Sequence, residues 1–422
     1  MRGYWQKGWI RGSVRTCHVA HHLWGIWCIF FDMPAQIVHS LFGEDVLRAA
    51  CAVPSSGSSV RMQAFVELLL AEHGAAFRLG CQGPDLFYHN QRTRPVALEY
   101  GALLHRRAFG EFTENLLRLC LPGSEPQPES ASSETYSVVA YVLGFATHAF
   151  LDRATHPFIV YKAGWVAPSQ PETARYARCH VFFERILDVL MLELLRSKAA
   201  TSWDQEALLA SACTPLSKIL PARIAQALEL TFPERTQDDD KLETRILNAF
   251  TDAHSYYRFT NPLRTSFNGG DSAGYQYLLS KKGRASVALI YPEYFSLAPD
   301  YLNLAHSPWL HPCGEVPDEG NGEGKGEPLA DLRSFPDLYR AALDQAKPFF
   351  SRLLVDYLFS GCIPDDISAE LGNGGLSATK ADGSPCAPTR ADPLPLDAVL
   401  DAQYRLRMAW MESYASLPGR QV

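Results

Sequence analysis

His148, Asp152 and His156 stand at four-residue intervals, and His180 and Glu184 repeat the interval shortly afterwards. On a helix, residues four apart lie one turn above each other, so each set projects imidazole nitrogens and carboxylate oxygens from one face. Two such faces packed together can enclose divalent cations. A single such pair would favour the plainer reading of a buried structural His-Asp pair, but five ligand-type residues between His148 and Glu184 reverse that preference in favour of a metal site. Nitrogen and oxygen donors without thiolate suit zinc with an accessible position better than a Cys-rich structural site.

The elements that must position these residues read as helices. Residues 136–151 are apolar nearly all the way round, the mark of a helix buried on most sides. An ionised Asp152 there is costly without a cation or another partner. Pro157 is expected to end or kink this helix at His156. Upstream, Gly83 and Pro84 set a turn just before Asp85, which can present its carboxylate as a ligand, a base or a helix cap. His39 and His105 occupy apolar helical settings, where the plain alternative is a core histidine. His89, one turn beyond Asp85, competes with His105.

Apolar residues at three- and four-residue spacing predict helices at 43–52, 60–75, 99–120, 135–156, 173–197, 204–230, 239–258, about 330–358 and about 396–416. Loops are expected at 54–59, 122–133 and 266–274. Alternating strand patterns are scarce, so the fold class is all-α. The domain plan is an N-terminal extension at 1–32, a helical domain at 33–313, a polar Gly/Glu-rich connector at 314–328, and C-terminal helices at 329–422. A Pro/Gly/Ser-rich stretch at 364–395 reads as a flexible insert, and the late helices are expected to pack on the bundle.

With 422 residues and 47% hydrophobic content the chain can build a large core. A net charge of −7 gives no global attraction to nucleic acid or anionic membrane. The ten cysteines are scattered singly with no Cys-x-x-Cys, so they read as mostly reduced, which points to a cytoplasmic setting. Secretion is the alternative, because a basic start followed by the apolar stretch 23–31 outlines a signal peptide that lacks a small-residue cleavage site. No apolar run approaches the roughly 20 residues of a spanning helix.

Taken together, these segments resemble the zinc-dependent phospholipase C family, whose structural relatives include the fungal single-strand zinc nucleases. The carriers are the opening 33–39, the Gly83-Pro84-Asp85 turn, His105, the block His148-x3-Asp152-x3-His156-Pro157, and His180-x3-Glu184. The resemblance spans about 33–195 and runs more faintly to 313. It implies a multi-helix bundle of phospholipase C and zinc-nuclease type, with a C-terminal helical extension, that holds two to three zinc ions. Asp85, His105, His148 and Asp152 would surround one ion, and His156, His180 and Glu184 another. Asp152 would reach a third, held also by His39. In the secreted enzymes an N-terminal tryptophan completes that third ion. Here the nearest tryptophans are Trp24 and Trp27, which no evident processing site would free.

The activity implied is hydrolysis of a phospholipid to diacylglycerol and a phosphorylated head group by metal-activated water, with Asp85 as ligand and proton acceptor. The substrate would be a phospholipid or another phosphodiester, met at a membrane surface. One alternative is a single-strand nuclease using the same ions, for which nucleic acid would be the partner. Another is a non-catalytic, metal-stabilised helical module. Trp309 could wall the site or simply pack its own loop, Tyr88, Tyr256 and Tyr257 read equally as core, and His306 and His311 stay unassigned.

Overall fold

In a computed structural model the chain is described at residues 35–52, 57–121, 132–167, 169–265, 283–293, 299–313, 330–379 and 386–415. The expected extension 1–32, the connector 314–328 and the loop 266–274 lie outside the described residues, as do Trp24 and Trp27. Among the described residues the architecture is all-α, and the only strand-like pairing is an isolated bridge between Trp309 and Asp331.

The helices that build the site are α1 (Gln36–Cys51), α2 (Gly57–Glu72), α3 (Gly74–Cys81), α4 (Leu98–Leu104), α5 (Phe109–Cys120), α6 (Ser133–Ala163) and α7 (Cys179–Arg196). A 3-10 turn, Gly83–His89, links α3 to α4. Beyond α7 come α8 (Ser211–Leu216), α9 (Leu220–Thr231), α10 (Leu242–Phe259), α11 (Phe335–Val355), α12 (Ile367–Leu371) and α13 (Leu396–Ala415).

The centre of the molecule is α6. Ser132 caps it by accepting from the Thr135 amide, and its apolar run is buried throughout Val138–Ala149. It packs most closely on α3, and Gly144 makes that approach feasible: a methyl group there would run into the Phe77 carbonyl and the Cys81 amide. On its other sides α6 meets α5, α7 and α11. The late helix α11 also lies along α1, with Phe349 and Phe350 against Phe150 of α6.

Several boundaries differ from the expected ones. Helix α6 does not end at His156 but runs through Pro157 to Ala163. The lost amide costs one helical hydrogen bond, while Phe158 and Ile159 beyond it are buried, the former against Phe183 and Trp309. The helix expected at 99–120 breaks after Leu104. Ala108 takes a left-handed conformation (φ 59°), and its amide is claimed by the Asn373 carbonyl at 2.9 Å. The stretch 204–230 divides into a π-helical turn (Glu206–Ala210), α8 and α9, and 173–197 divides into a 3-10 turn and α7. Helix α1 begins at Gln36, seven residues before the expected start at 43, so it includes His39.

The first part of the insert expected to be flexible is docked. Ile367, Leu371 and Leu376 are buried, and α12 packs on α5. Cysteine pairing also departs from a reduced set: Cys313 and Cys386 form a disulfide across 73 residues of sequence. Cys51, Cys81, Cys120, Cys179 and Cys213 are buried thiols, and Cys362 is an exposed one. No sequence spacing marks a pair so far apart.

Candidate metal centre

The eight ligand-type side chains reach the centre from five elements. Asp188, one turn beyond Glu184 on α7, accepts the Gln36 and Val38 amides at 2.9 and 2.8 Å, and so fixes the start of α1 and the place of His39. Gly83 turns the chain with φ +54°, where His148 leaves no room for a Cβ, and delivers Asp85. The break after α4 leaves His105 at its C-terminal cap. Helix α6 presents His148, Asp152 and His156, and the first two turns of α7 present His180 and Glu184.

These residues converge on Asp152. His39 Nε2 lies 3.2 Å from its Oδ1, while His148 Nε2 and His156 Nδ1 lie 3.1 and 3.4 Å from its Oδ2. Asp85 Oδ1 is 2.9 Å from His105 Nε2, and its Oδ2 is 3.5 Å from His148 Nε2. Glu184 Oε1 is 3.4 Å from His180 Nε2 and 3.6 Å from His156 Nε2. Three sets of donor atoms are therefore close enough to share a cation: His39, His148 and Asp152; Asp85, His105 and His148; and His156, His180 and Glu184.

Whether the residues fit zinc is answered by what their polar atoms lack. Asp85 Oδ2, His148 Nε2, Asp152 Oδ2, Glu184 Oε2 and His39 Nδ1 are buried without hydrogen-bond partners. Clustered orphan acceptors of this kind are costly in a protein interior unless something electrophilic satisfies them. Neighbouring carbonyls orient two of the imidazoles: His105 Nδ1 donates to Gly101 O at 2.8 Å, and His148 Nδ1 to Cys81 O at 3.2 Å. With the proton so placed, each Nε2 is left with its lone pair facing the cluster.

Without a cation the site is electrostatically uneven. Burial would raise the Asp152 carboxyl, but His148 and His156 beside it hold it well below the usual range. Burial pushes Asp85 up to about 7. For His156 burial alone would favour the neutral ring, yet Asp152 and Glu184 outweigh it and raise the imidazole to about 10. Burial lowers His105.

Other expected candidates fall elsewhere. His89 stacks on Tyr256 at 4.2 Å and meets the Tyr257 hydroxyl at 3.1 Å, away from the cluster, and burial lowers it to about 3. Trp309 is a core residue, edge-on to Phe158 with its indole N–H given to the Arg333 carbonyl. His306 Nδ1 meets the Leu332 carbonyl at 3.0 Å, and His311 Nδ1 accepts the Cys313 amide. Tyr88 packs beside His105 with ring centres 5.0 Å apart.

Two positioning residues escaped the sequence reading. Asp188 continues the four-residue ladder of His180 and Glu184, so its spacing was a usable signal. Fully buried Arg185 pairs with Asp188 at 3.0 Å and donates to the hydroxyls of Tyr256 and Tyr291, partners that no local pattern indicates.

A family model described as zinc dependent phospholipase C matches residues 38–261. No curated protein and no solved structure matches the chain. The matched region extends past 195, where the expected resemblance was strongest, and ends short of 313, the limit of its fainter part; it takes in α8–α10 with all three donor sets.

Proposed function

The chain belongs to the zinc-dependent phospholipase C family, and from that premise we propose that it is a phosphodiester hydrolase that cleaves a phospholipid to diacylglycerol and a phosphorylated head group. Asp85, His105, His148 and Asp152 would hold one zinc ion, and His156, His180 and Glu184 a second. His39 with Asp152 would contribute to a third. Zinc bound there supplies positive charge that polarises a phosphoryl oxygen and eases deprotonation of water.

The observation that carries this reading is the donor set of the outer cluster. Two histidines and one glutamate converge on one point, a combination characteristic of catalytic zinc sites, which keep a position open, rather than of closed structural ones. His180 is also the most exposed of the ligand-type side chains, at 14%, so substrate would approach from that side. The buried side chains behind it exclude water and hold the donors rigid, and Asp188, paired with Arg185 on its own helix, locks α1 to α7.

Asp85 is the proposed proton acceptor. Its Oδ1 faces His105 Nε2 at 2.9 Å, close enough to share a cation with it, its Oδ2 is unclaimed, and burial brings its carboxyl near neutrality. A base poised near the working pH is efficient, and an adjacent cation keeps it ionised. A lipid substrate is preferred to a nucleic acid because the chain carries net charge −7, which gives no global attraction to a polyanion.

The test is zinc stoichiometry by elemental analysis, alongside hydrolysis of a phosphatidylcholine analogue and of single-stranded DNA. His148→Ala and Asp152→Ala are expected to lose zinc together with at least about a hundredfold of lipid-analogue hydrolysis. Full zinc content in both variants would sink the ligand assignment, and cleavage of DNA in preference to the lipid analogue would sink the substrate assignment.

A further inference from the structure

The outer cluster has a neighbour from outside the family-matched region. Residues 371–376 form a glycine-rich strap across the α4–α5 break and the middle of α6. Gly372 O and Asn373 O accept the amides of Gly110 and Ala108, and the Leu376 amide donates to His105 O at 2.9 Å. The Leu376 carbonyl faces His156 Nδ1 at 3.4 Å. That nitrogen is equally far from Asp152 Oδ2.

Arg153, between Asp152 and His156, fastens the strap. Its Nε donates to Gly375 O at 3.2 Å, one terminal nitrogen to Gly372 O and Gly374 O at 3.0 and 3.2 Å, and the other to Leu371 O. A guanidinium directed entirely at backbone carbonyls organises a chain path; a lysine could not span the same four oxygens.

We propose that this strap is a positioning element for the His156–His180–Glu184 cluster, resting on the reading of His156 as a ligand. The Leu376 carbonyl takes the Nδ1 proton of His156, sets its tautomer and ring orientation, and leaves Nε2 directed at the space shared with His180 and Glu184. Arg153 maintains that contact. The outer metal position therefore depends on a C-terminal segment lying more than a hundred residues beyond the end of the family-matched region at 261. Outer-shell partners of metal-binding histidines typically change metal affinity about 10- to 100-fold.

The experiment titrates zinc into the metal-free full-length chain against a chromogenic chelator, with circular dichroism of each metal-free variant recorded in parallel. Arg153→Met is expected to weaken one zinc equivalent by about 10- to 100-fold, leaving the remaining equivalents and the metal-free fold unchanged. Gly375→Ala provides an independent variant, because its Cβ would meet Thr379 Cγ2 at 2.6 Å and His105 O at 3.3 Å and so lift the strap; it should weaken the same equivalent. If Arg153→Met fails to fold, Gly375→Ala decides by the same criterion. A folded variant with the native chelator profile, or one that loses all equivalents together, overturns the proposal. His180→Ala separates the two layers. If it retains every equivalent, the ligand reading falls; if it loses one while both strap variants match the native chain, only the strap's role falls.

Discussion

Asp152 is the residue on which the site turns, because its carboxylate lies within 3.4 Å of imidazoles one turn before it and one turn after it on α6 and of one from α1. In the metal-free chain those charges must be balanced by protons. His156, raised to about 10 by Asp152 and Glu184 despite burial, carries its proton at neutral pH. A cation must displace that proton, so metal affinity rises with pH up to about 10, by about tenfold per pH unit for each proton displaced. Calorimetry of zinc binding at pH 7.5 (about neutral) in buffers of different ionisation enthalpy should register net proton release. Binding without proton release would show that His156 is not a ligand. Of the individual donors, the ladder on α6 was legible because periodicity exposes residues that share one helical face. Asp85 and His105 were legible only through family resemblance, since a turn carboxylate and a core histidine look the same whether or not they face each other. Arg153 gave no signal, because its partners are carbonyl oxygens that every residue possesses.

At the level of elements, the site depends on how closely α3 can approach α6. That approach brings the Cys81 carbonyl to His148 Nδ1 and sets the Gly83 turn beneath the same ring. In an open helix Gly→Ala is stabilising by about 1 kcal/mol. At Gly144 the added methyl meets the Phe77 backbone, so Gly144→Ala is expected to destabilise by roughly 1–3 kcal/mol. A urea midpoint equal to or above the native one would refute the close-packing argument. Helix periodicity found the elements but not all their ends. Helix α6 crosses Pro157 because aromatic packing beyond it outweighs one hydrogen bond, and the 99–120 stretch breaks because a segment about 265 residues away captures the Ala108 amide. Both decisions belong to contacts remote in sequence.

Across the whole molecule, the C-terminal part is joined to the family-matched region through α11 and through the strap, while the Cys313–Cys386 disulfide ties together two segments that both lie beyond that region. Cys386→Ser is expected to lower stability by about 2–4 kcal/mol, read as a lower urea midpoint under oxidising conditions; an unchanged midpoint would mean that the bridge adds nothing. No helix among the described residues is long and apolar enough to cross a membrane. What the sequence determined by itself was the all-α class, the ladder of ligand-type residues and the family to which they point, because helical periodicity and motif spacing are local properties of the chain. Tertiary structure alone decided that His89 and Trp309 serve the core, that Asp188 anchors α1, and that residues 371–376 lie against the centre, because hydrogen-bond partners, close backbone approaches and cysteine pairing arise only where distant segments meet.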